Sequence, residues 1–316
     1  MRLARRAAML LPLPALAQGW VPERPMRLIV PFAAGGPTDT LARMLQSPLA
    51  EALGQAVVVE NRPGAGANIG IQAVARSAAD GLTWLVTSSA FVTNPALTRP
   101  QPFDPIRDFA PVSLLASSPN VIVAGPSAGV STLTEMVARA KAEPGRLEYG
   151  TAGTGTAPHI TAELFRLRAG IDILHIPYTG AAPAVQAALA GTTALAFSAM
   201  PAAAAQIRAG TLRALAVTSA ARWPDAPEVP TVAEQGYPGF AAETWQGLLS
   251  PAGTPPAAVQ RVAAVVRGYL NGLPPERMRA IGFATVASTP EEFTAQLARE
   301  VPDIAAGIAA TGLRSE

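Results

Sequence analysis

The chain has 316 residues, a formal net charge of +2, 49% hydrophobic residues and 15% charged residues. This length and balance are typical of a globular protein with room for two domains, and they exclude a mainly disordered chain. The sequence contains no cysteine, which excludes disulfide bonds, thiolate nucleophiles and cysteine-ligated metals. Its basic residues form no long cluster of the kind that binds nucleic acid.

The N-terminal segment has the pattern of a secretory signal peptide. Basic residues open the chain, residues 7–16 are apolar apart from two prolines, and Ala15-Leu16-Ala17 fits a cleavage site of small residues. We therefore predict a signal peptide over residues 1–17 and export from the cytoplasm, with a mature chain that starts at Gln18. The alternative is a disordered basic N-terminus. No later segment reaches the roughly 18 consecutive apolar residues of a membrane span.

Residues 27–40 are predicted to run from a buried strand through a glycine turn into a helix. Gly35-Gly36 allow the backbone to come close to a ligand, and Thr38 or Asp39 is placed to cap the helix. The free N–H groups and the positive dipole end of such a helix start hold anions. The alternative is an ordinary turn of the kind that any α/β protein contains.

Residues 147–159 repeat this pattern far along the chain. A strand leads into a loop of small polar residues, and Pro158 suits the first turn of the helix that follows, with Thr156 or Ala157 as the cap. Two loops that favour anions, widely separated in sequence, indicate two lobes that close on one ligand carrying a carboxylate.

Further strands and helices alternate along the chain, which predicts an α/β fold with mostly parallel sheets covered by helices. The final helix has a capping-box start at Thr289-Pro290-Glu291-Glu292, and Pro302 predicts a kink or break within it. The other predicted strands are 57–60, 82–87, 112–115, 120–124, 171–176, 194–197, 212–217 and 244–249; the other predicted helices are 69–75, 133–142 (capped by Ser131 or Thr132), 183–190 and 256–270.

Two crossings, near 117–119 and near 219–224, are predicted to divide the chain into lobes. Lobe 1 would take residues 18–118 plus 223–316, and lobe 2 would take residues 119–222. The proline-rich segment at 223–230 marks the second boundary. In two-lobed α/β binding proteins of this kind the ligand lies in the cleft between the lobes and is enclosed by hinge closure.

Several motifs, in their order and spacing, resemble one protein family. They include Ile29-Val30-Pro31-Phe32, Val58-Val59-Glu60-Asn61-Arg62-Pro63-Gly64, Asn94-Pro95-Ala96-Leu97, Asp108-Phe109-Ala110-Pro111-Val112, His175-Ile176-Pro177-Tyr178 and Pro251-Ala252-Gly253-Thr254-Pro255. The chain resembles the Bug (TctC-like) family, the periplasmic substrate-binding proteins of tripartite tricarboxylate transporters. The resemblance starts near Trp20 and continues almost to the C-terminus.

The resemblance implies a two-lobed periplasmic binding protein fold of type II-like architecture. It also implies a periplasmic receptor that captures a small carboxylate or related solute, performs no chemistry, needs no cofactor or metal, and delivers its ligand to a membrane permease. We expect a monomer that binds no nucleic acid. Two alternatives stay open: a receptor that signals to a sensor kinase, and a hydrolase on a similar scaffold.

The predicted ligand-binding residues come from the two glycine loops and from the strands beside them. In similar proteins, backbone amides, hydroxyls and bridging waters hold the solute carboxylate. The predicted set is Phe32, Ala34, Gly35, Gly36, Pro37, Thr38, Asp39, Ser88, Ser89, Thr151, Ala152, Gly153, Thr156, His159, Tyr178 and Ser198.

The ionisable members of this set have competing interpretations. Asp39 is interpreted as a helix cap or as a group that orients ligand or water. His159 is predicted to donate a hydrogen bond to a carboxylate, whereas His175, in an apolar strand, is predicted to be structural. No Gly-x-Ser-x-Gly elbow accompanies the two histidines, which disfavours a hydrolase.

Two other segments limit the prediction. Residues 64–70 look like a dinucleotide fingerprint, but the third glycine comes one residue late, which favours a tight turn into a helix. Many members of the family have an acidic residue and Asn where this chain has Ser198 and Ala199. We expect this departure to change the far end of the pocket, with Ser198 facing the ligand.

Overall fold

The computed structural model describes residues 20–311. The predicted signal peptide lies outside the described residues. The helices are α1 (Pro37–Leu53), α2 (Asn68–Ala75), α3 (Ala90–Leu97), α4 (Leu133–Ala142), α5 (Ala157–Ala169), α6 (Ala181–Ala190), α7 (Met200–Arg208), α8 (Pro256–Asn271), α9 (Pro275–Ala280) and α10 (Pro290–Thr311). The strands are β1 (Met26–Val30), β2 (Val57–Asn61), β3 (Thr83–Ser88), β4 (Phe109–Ala124), β5 (Glu148–Thr151), β6 (Leu174–Pro177), β7 (Leu195–Ala199), β8 (Arg213–Val217), β9 (Glu243–Pro251) and β10 (Ala284–Thr285).

The strands pair in the order β2-β1-β3-β9-β4-β7-β5-β6, with β8 and β10 also paired to β4. Strand β1 pairs in parallel with β2 and β3, and β5 pairs in parallel with β6 and β7. The pairs that β4 and β9 form are antiparallel. The predicted α/β class is confirmed. The pairing is more mixed than predicted, because two long strands join the parallel parts.

Strand β4 crosses from one part of the sheet to the other without interruption. Its first part pairs with β9 and its last part, from Asn120 onward, pairs with β7 and β8. The sequence predicted two short strands here, separated at 117–119. The backbone stays extended through Pro119, which pairs with Glu243 at the start of β9. The two crossing strands therefore lie side by side.

The buried apolar residues form separate clusters on the two sides of this crossing. One cluster packs α1, α2, α3, α8, α9 and α10 on the sheet part that contains β1, β2, β3, β9 and β10, which we call lobe 1. Two further clusters pack α4, α5, α6 and α7 on β5, β7, β8 and the end of β4, which we call lobe 2. The molecule thus has two cores joined by β4 and β9.

The packing differs from the predicted lobe limits at one boundary. Trp223, Ala226 and Val229, which the sequence assigned to lobe 1, pack in a cluster of lobe 2. The backbone N–H of Val217 donates to Pro230 O, so the proline-rich segment stays on β8. The chain rejoins the first sheet part only at Glu243. The lobe limits stay a prediction, and this packing moves the second limit toward residue 243.

The helix-start signals are confirmed where they were clearest. Thr132 caps α4 in a reciprocal capping box with Glu135. Thr289 and Glu292 form the corresponding pair at the start of α10. Of the kink or break predicted at Pro302, the break is wrong, because α10 continues through this residue, and the kink stays a prediction. Apolar residues pack against the lobe 1 core on both sides of the proline and hold the helix in place.

Candidate functional site

A cavity lies between the lobes at the starts of four helices. Its volume open to water-sized molecules is about 30 Å³. Gly36 and Thr156 are the residues that precede α1 and α5, Ala181 is the first residue of α6, and Ala199 precedes α7. The complete lining of this first cavity is Phe32, Gly36, Pro37, Thr38, Ser88, Ala152, Thr156, Pro158, Ala181, Ala199, Thr244 and Gln246.

The predicted ligand-binding residues divide into three groups in the structure. Those that line the first cavity are Phe32, Gly36, Pro37, Thr38, Ser88, Ala152 and Thr156. Gly153 and Tyr178 line a second cavity, which also touches Ala152. Those in neither lining are Ala34, Gly35, Asp39, Ser89, Thr151, His159 and Ser198.

Helix α1 places a threonine in the cavity and turns its acidic residue away. Gly36 is the N-cap, so neither Thr38 nor Asp39 is the cap that the sequence suggested. Thr38 Oγ1 donates to Gln246 Oε1 at 2.7 Å, and both residues are buried and line the cavity. The cap lies earlier than predicted because Pro37, which needs no N–H partner, starts the helix.

The Asp39 carboxylate holds the loop rather than the ligand. It accepts hydrogen bonds from Gly35 N at 2.9 Å, Asn61 Nδ2 at 2.9 Å and Arg43 Nε at 2.8 Å. Burial raises the pKa of Asp39, but the hydrogen bonds from Arg43, Gly35 and Asn61 outweigh it and bring the pKa below its ordinary value. Asp39 is therefore ionised and paired. It does not line the cavity, so no contact supports its interpretation as a ligand-orienting group.

Helix α5 starts with the same geometry. Thr156 is the N-cap, as predicted, and lines the cavity with its hydroxyl donating to Gly153 O at 2.7 Å. His159 Nδ1 accepts a hydrogen bond from Gly155 N at 3.2 Å. This bond fixes the proton of neutral His159 on Nε2. The predicted hydrogen bond from His159 to a ligand carboxylate is not supported, since the ring lies outside the lining and holds its own loop.

The ring of His159, on α5, stacks on the ring of His175, on β6. Their ring centroids are 4.2 Å apart, and His175 Nε2 shares a hydrogen bond of 2.7 Å with Thr151 Oγ1. Burial lowers the pKa of His159. Burial, with a smaller contribution from His159, lowers the pKa of His175 to about 4. Both rings are neutral at physiological pH, and both serve lobe 2 as structural groups, as predicted for His175.

A buried polar network joins the cavity to the crossing strands. Thr244 lines the cavity from β9, and its hydroxyl donates to Asn120 Oδ1 on β4 at 2.6 Å. Asn120 Nδ2 donates to Thr161 Oγ1 on α5 at 2.9 Å. These bonds tie both crossing strands to the helix that starts at the cavity. The alternation of polar and apolar residues over 244–246 is the signal that could have found Thr244 and Gln246.

The far end of the cavity is formed by Ala199 and not by Ser198. Ser198 is 1% exposed in β7 and lies outside the lining, with its hydroxyl near Ala199 O at 3.4 Å. Successive side chains of a strand point to opposite faces, so only one of the two neighbours can meet the cavity. Ser198 thus lies outside the lining of this cavity, and the expectation that it faces the ligand stays a prediction.

The two lobes are in direct contact around the cavity. The backbone N–H of Ala33 donates to Thr179 O at 3.0 Å. Thr93 Oγ1 donates to Gly155 O across the same gap. Gly66 of lobe 1 lies so close to lobe 2 that an added Cβ would overlap the carbonyl oxygen of Thr154. The lobes are therefore closed on the cavity.

A second, larger cavity lies beside the first, with a volume of about 390 Å³ open to water-sized molecules. It shares Ala152 with the first cavity. Its remaining lining is Gly64, Ala65, Gly66, Ala67, Asn68, Asn94, Thr98, Gly153, Thr154, Pro177, Tyr178 and Thr179. The segment before α2 is the tight turn that the sequence predicted, with positive φ at Gly64 and Gly66.

No residue in the lining of either cavity carries a charged side chain. Within residues 20–311, no group of three or more histidine or acidic side chains is placed to hold a metal ion. No helix in that part of the chain is long and apolar enough to cross a membrane. The polar groups that the two linings offer are hydroxyls, side-chain amides and backbone groups.

Comparison with known proteins identifies the family. The model of the TctC family, described as tripartite tricarboxylate transporter family receptor, matches residues 41–288. The chain belongs to this family. Protein BugT of Bordetella pertussis (strain Tohama I) is 39% identical to this chain over 296 residues, which cover 93% of this chain and 91% of BugT.

Solved structures agree with this assignment. The periplasmic binding protein BugD superposes with a TM-score of 0.89 at 34% identity, covering 93% of this chain and 100% of BugD. R. palustris Rpa4515, solved with adipate, superposes with a TM-score of 0.88 at 33% identity, covering 93% of this chain and 99% of Rpa4515. The protein is thus a TctC-family periplasmic solute-binding receptor with a periplasmic binding protein fold, and it is not an enzyme.

Proposed function

We propose that this receptor captures a small carboxylate in the first cavity by closing its two lobes, and passes it to a tripartite tricarboxylate-type permease. The observation that carries the proposal is the convergence of four helix N-termini on one cavity without a charged side chain. Each helix start contributes roughly 0.3–1 kcal/mol toward an anion, and more where water is excluded.

The polar side chains of the cavity complete this anion site. Ser88 offers its hydroxyl and Gln246 its Nε2 as donors, whereas the hydroxyls of Thr38 and Thr156 already donate to Gln246 Oε1 and Gly153 O. Such neutral donors hold a carboxylate without fixing the rest of the solute, which suits a receptor for a class of acids. Asp39 does not repel the anion, because Arg43 neutralises it outside the lining. The adipate bound to the similar receptor Rpa4515 supports a carboxylate as the ligand.

Closure depends on the crossing strands and on the contacts between lobes. We propose that β4 and β9, the two connections that run side by side, act as the hinge, with lobe limits near residues 118 and 243. A ligand that contacts both lobes stabilises the closed state by as much as it prefers that state over the open one. Delivery to permease subunits by a monomeric periplasmic receptor is proposed on the description of the family.

The decisive experiment identifies the ligand. Mass spectrometry of compounds released from freshly purified protein is followed by calorimetry with the compound found, and with adipate and uncharged hexane-1,6-diol as a matched pair. We expect the acids to bind and the diol not to bind. Binding of the diol as tight as that of adipate would contradict the carboxylate site.

A matched pair of glycines tests closure. Gly66 and Gly170 both have φ of 61°, but a Cβ at Gly66 would overlap Thr154 of the other lobe, whereas a Cβ at Gly170 meets nothing within 4 Å. Gly66→Ala should weaken acid binding by about 10- to 100-fold, since overpacking costs about 1–3 kcal/mol. Gly170→Ala should destabilise the protein through the same backbone strain and leave affinity unchanged. Equal affinities in the two variants would contradict closure at this contact.

A further inference from the structure

Gln246 presents the two ends of its side-chain amide to different neighbours. It lies in β9, is 1% exposed and lines the first cavity. Its Oε1 accepts a hydrogen bond from the Thr38 hydroxyl at 2.7 Å. Its Nε2 has no hydrogen-bond partner within residues 20–311, yet it is not one of the sealed, unpaired side-chain atoms of that part of the chain. The Nε2 protons are therefore open to the cavity.

Thr38 fixes which end of this amide faces the cavity. It is buried in the first turn of α1, and Gln246 Oε1 is the one acceptor that its hydroxyl proton has within residues 20–311. If the amide turned over, Nε2 would donate to Thr38 Oγ1 and the hydroxyl proton would lose this acceptor, which is costly for a buried group. The cavity therefore meets a donor of Gln246 and not its acceptor.

Two other polar side chains of the lining use their protons within the protein. The hydroxyls of Thr156 and Thr244 donate to Gly153 O and Asn120 Oδ1. A hydroxyl has one proton, so toward a ligand these two threonines can only accept.

Ser88 is the second lining side chain with a free proton. Its Oγ accepts from Ala90 N at 3.4 Å, and its hydroxyl proton has no acceptor within residues 20–311. Ser88 and Gln246 are direct partners in the antiparallel pairing of β3 with β9. Partners of this kind point to the same face of a sheet, so the two free donors lie side by side on lobe 1.

This pair of donors fits a carboxylate better than the corresponding carboxamide. Both oxygens of a carboxylate accept, so each can take one donor, whereas a carboxamide has one oxygen and its NH₂ group would face a donor. We propose that Gln246 selects the carboxylate of the solute over a carboxamide, and that Thr38 is a positioning residue that acts through Gln246. This inference rests on the proposed function, because it takes a carboxylate in the first cavity as given.

The test is calorimetry with straight-chain mono- and dicarboxylates of about four to eight carbons. Each is compared with the compound in which every carboxylate is replaced by a carboxamide. We expect the acid that binds the wild-type protein best to bind at least about tenfold tighter than its amide. Gln246→Met keeps the length of the side chain and removes the donor, so it should weaken binding of the acid about tenfold and leave binding of the amide nearly unchanged.

The Thr38 variants test positioning. Thr38→Val frees the Gln246 amide to turn over, so the acid should bind about threefold to tenfold more weakly while the amide binds at least as tightly as before. A residue that only supported the fold would weaken binding of both compounds alike. Thr38→Ser keeps the hydroxyl and should keep the wild-type preference. Because Thr38 acts through Gln246, adding Thr38→Val to Gln246→Met should change the preference no further.

The control and the possible failures are distinct. Thr40→Val, on the same helix but outside the lining, should change none of these affinities, and thermal unfolding checks that each variant is folded. If Gln246→Met keeps the wild-type preference for the acid, the inference is wrong while the carboxylate site stands. If Thr38→Val weakens binding of acid and amide equally, Thr38 is not a positioning residue. If the wild-type protein binds no acid, or binds the amides as tightly as the acids, the proposed function itself fails.

Discussion

The loops that lead into α1 and α5 are held by the same kind of hydrogen bond, which different residues accept. In both, a glycine with φ of 81°, Gly35 or Gly155, precedes the N-cap residue. In both, the residue three positions after the cap, Asp39 or His159, accepts a hydrogen bond from the N–H of that glycine. The ionisable side chain therefore anchors each loop.

The difference between the loops lies in what supports each anchor. Asp39 is a charged acceptor, paired with Arg43. His159 is a neutral acceptor, stacked on His175. A charged anchor keeps its strength down to low pH, whereas an imidazole loses its acceptor when it is protonated. The comparison shows that an ionisable residue in a ligand-binding loop can serve the loop alone and leave the ligand to neutral neighbours.

The largest effect is expected from alanine at the two equivalent glycines. A Cβ at Gly155 would overlap Asn94 Oδ1 of lobe 1, whereas at Gly35 it meets only Ala182 Cβ at 3.8 Å. Both variants carry the same backbone strain, about 1–2 kcal/mol. Gly155→Ala should in addition hinder closure and weaken ligand binding about 10- to 100-fold in calorimetry. If Gly35→Ala weakens binding as much, then strain in the loops and not contact between lobes controls affinity.

Replacing the charged anchor should mainly change stability. Asp39→Ala removes hydrogen bonds to a charged group, so the free energy of unfolding by denaturant should fall by about 1.5–3 kcal/mol. Asp39→Asn retains an acceptor for Gly35 N–H and should lose less. An unchanged free energy of unfolding together with a large loss of affinity would mean that Asp39 acts on the ligand and does not anchor the loop.

Most of the fold could be predicted from local signals, because caps and apolar periodicity are local. The capping residues of α4 and α10 and most parallel strands are of this kind. Long-range pairing was not accessible in this way. The loop-like residues 117–119 lie inside β4 only because β9 pairs with them. Helix α7 was not predicted, because its N-cap, Ala199, has no side chain that could mark the start of a helix.

The sequence predicted lining residues of the candidate site mainly at helix starts, where the backbone conformation favours particular residue types. Glycine and threonine at the helix starts predicted Gly36, Thr38 and Thr156 correctly as neighbours of one cavity. Ionisable side chains were a poor guide to the cavity lining, since Asp39 and His159 form hydrogen bonds within their own loops. Ala181 and Ala199 carry no polar signal at all. They line the cavity because of where their helices begin, which the sequence alone does not show.

The two stacked imidazoles should make the stability of the protein depend on pH below about 6.5. In the folded state burial lowers the pKa of both histidines, that of His175 from 6.5 to about 4. The unfolded chain then binds more protons in this range, so stability falls as the pH decreases. We expect a loss of about 1–2 kcal/mol between pH 6.5 and about 5, measured by denaturant titration.

Variants assign this pH effect to its source. The chain contains two histidines, so replacing both by glutamine should flatten the profile in that range. Asp39→Asn should keep the slope, because the lowered pKa of Asp39 affects stability only at lower pH. A slope that persists without the histidines would show that the anchor of α5 is not what titrates.

The smallest effects are expected from the threonines that the anchors place in the cavity. Thr38→Val removes the hydroxyl that donates to Gln246 Oε1, and Thr156→Val removes the one that donates to Gly153 O. Each of these bonds holds one wall of the cavity in place, so each variant should weaken carboxylate binding about threefold to tenfold. Thr40→Val is the matched control on α1, since Thr40 is not a lining residue and its backbone N–H still donates to Gly36 O when its hydroxyl is removed. Calorimetry with the released ligand measures all three. Similar losses for Thr38 and Thr156 mean that both lobes hold the carboxylate. A loss confined to one of them means that the ligand is bound by a single lobe and that the other helix start only closes over it.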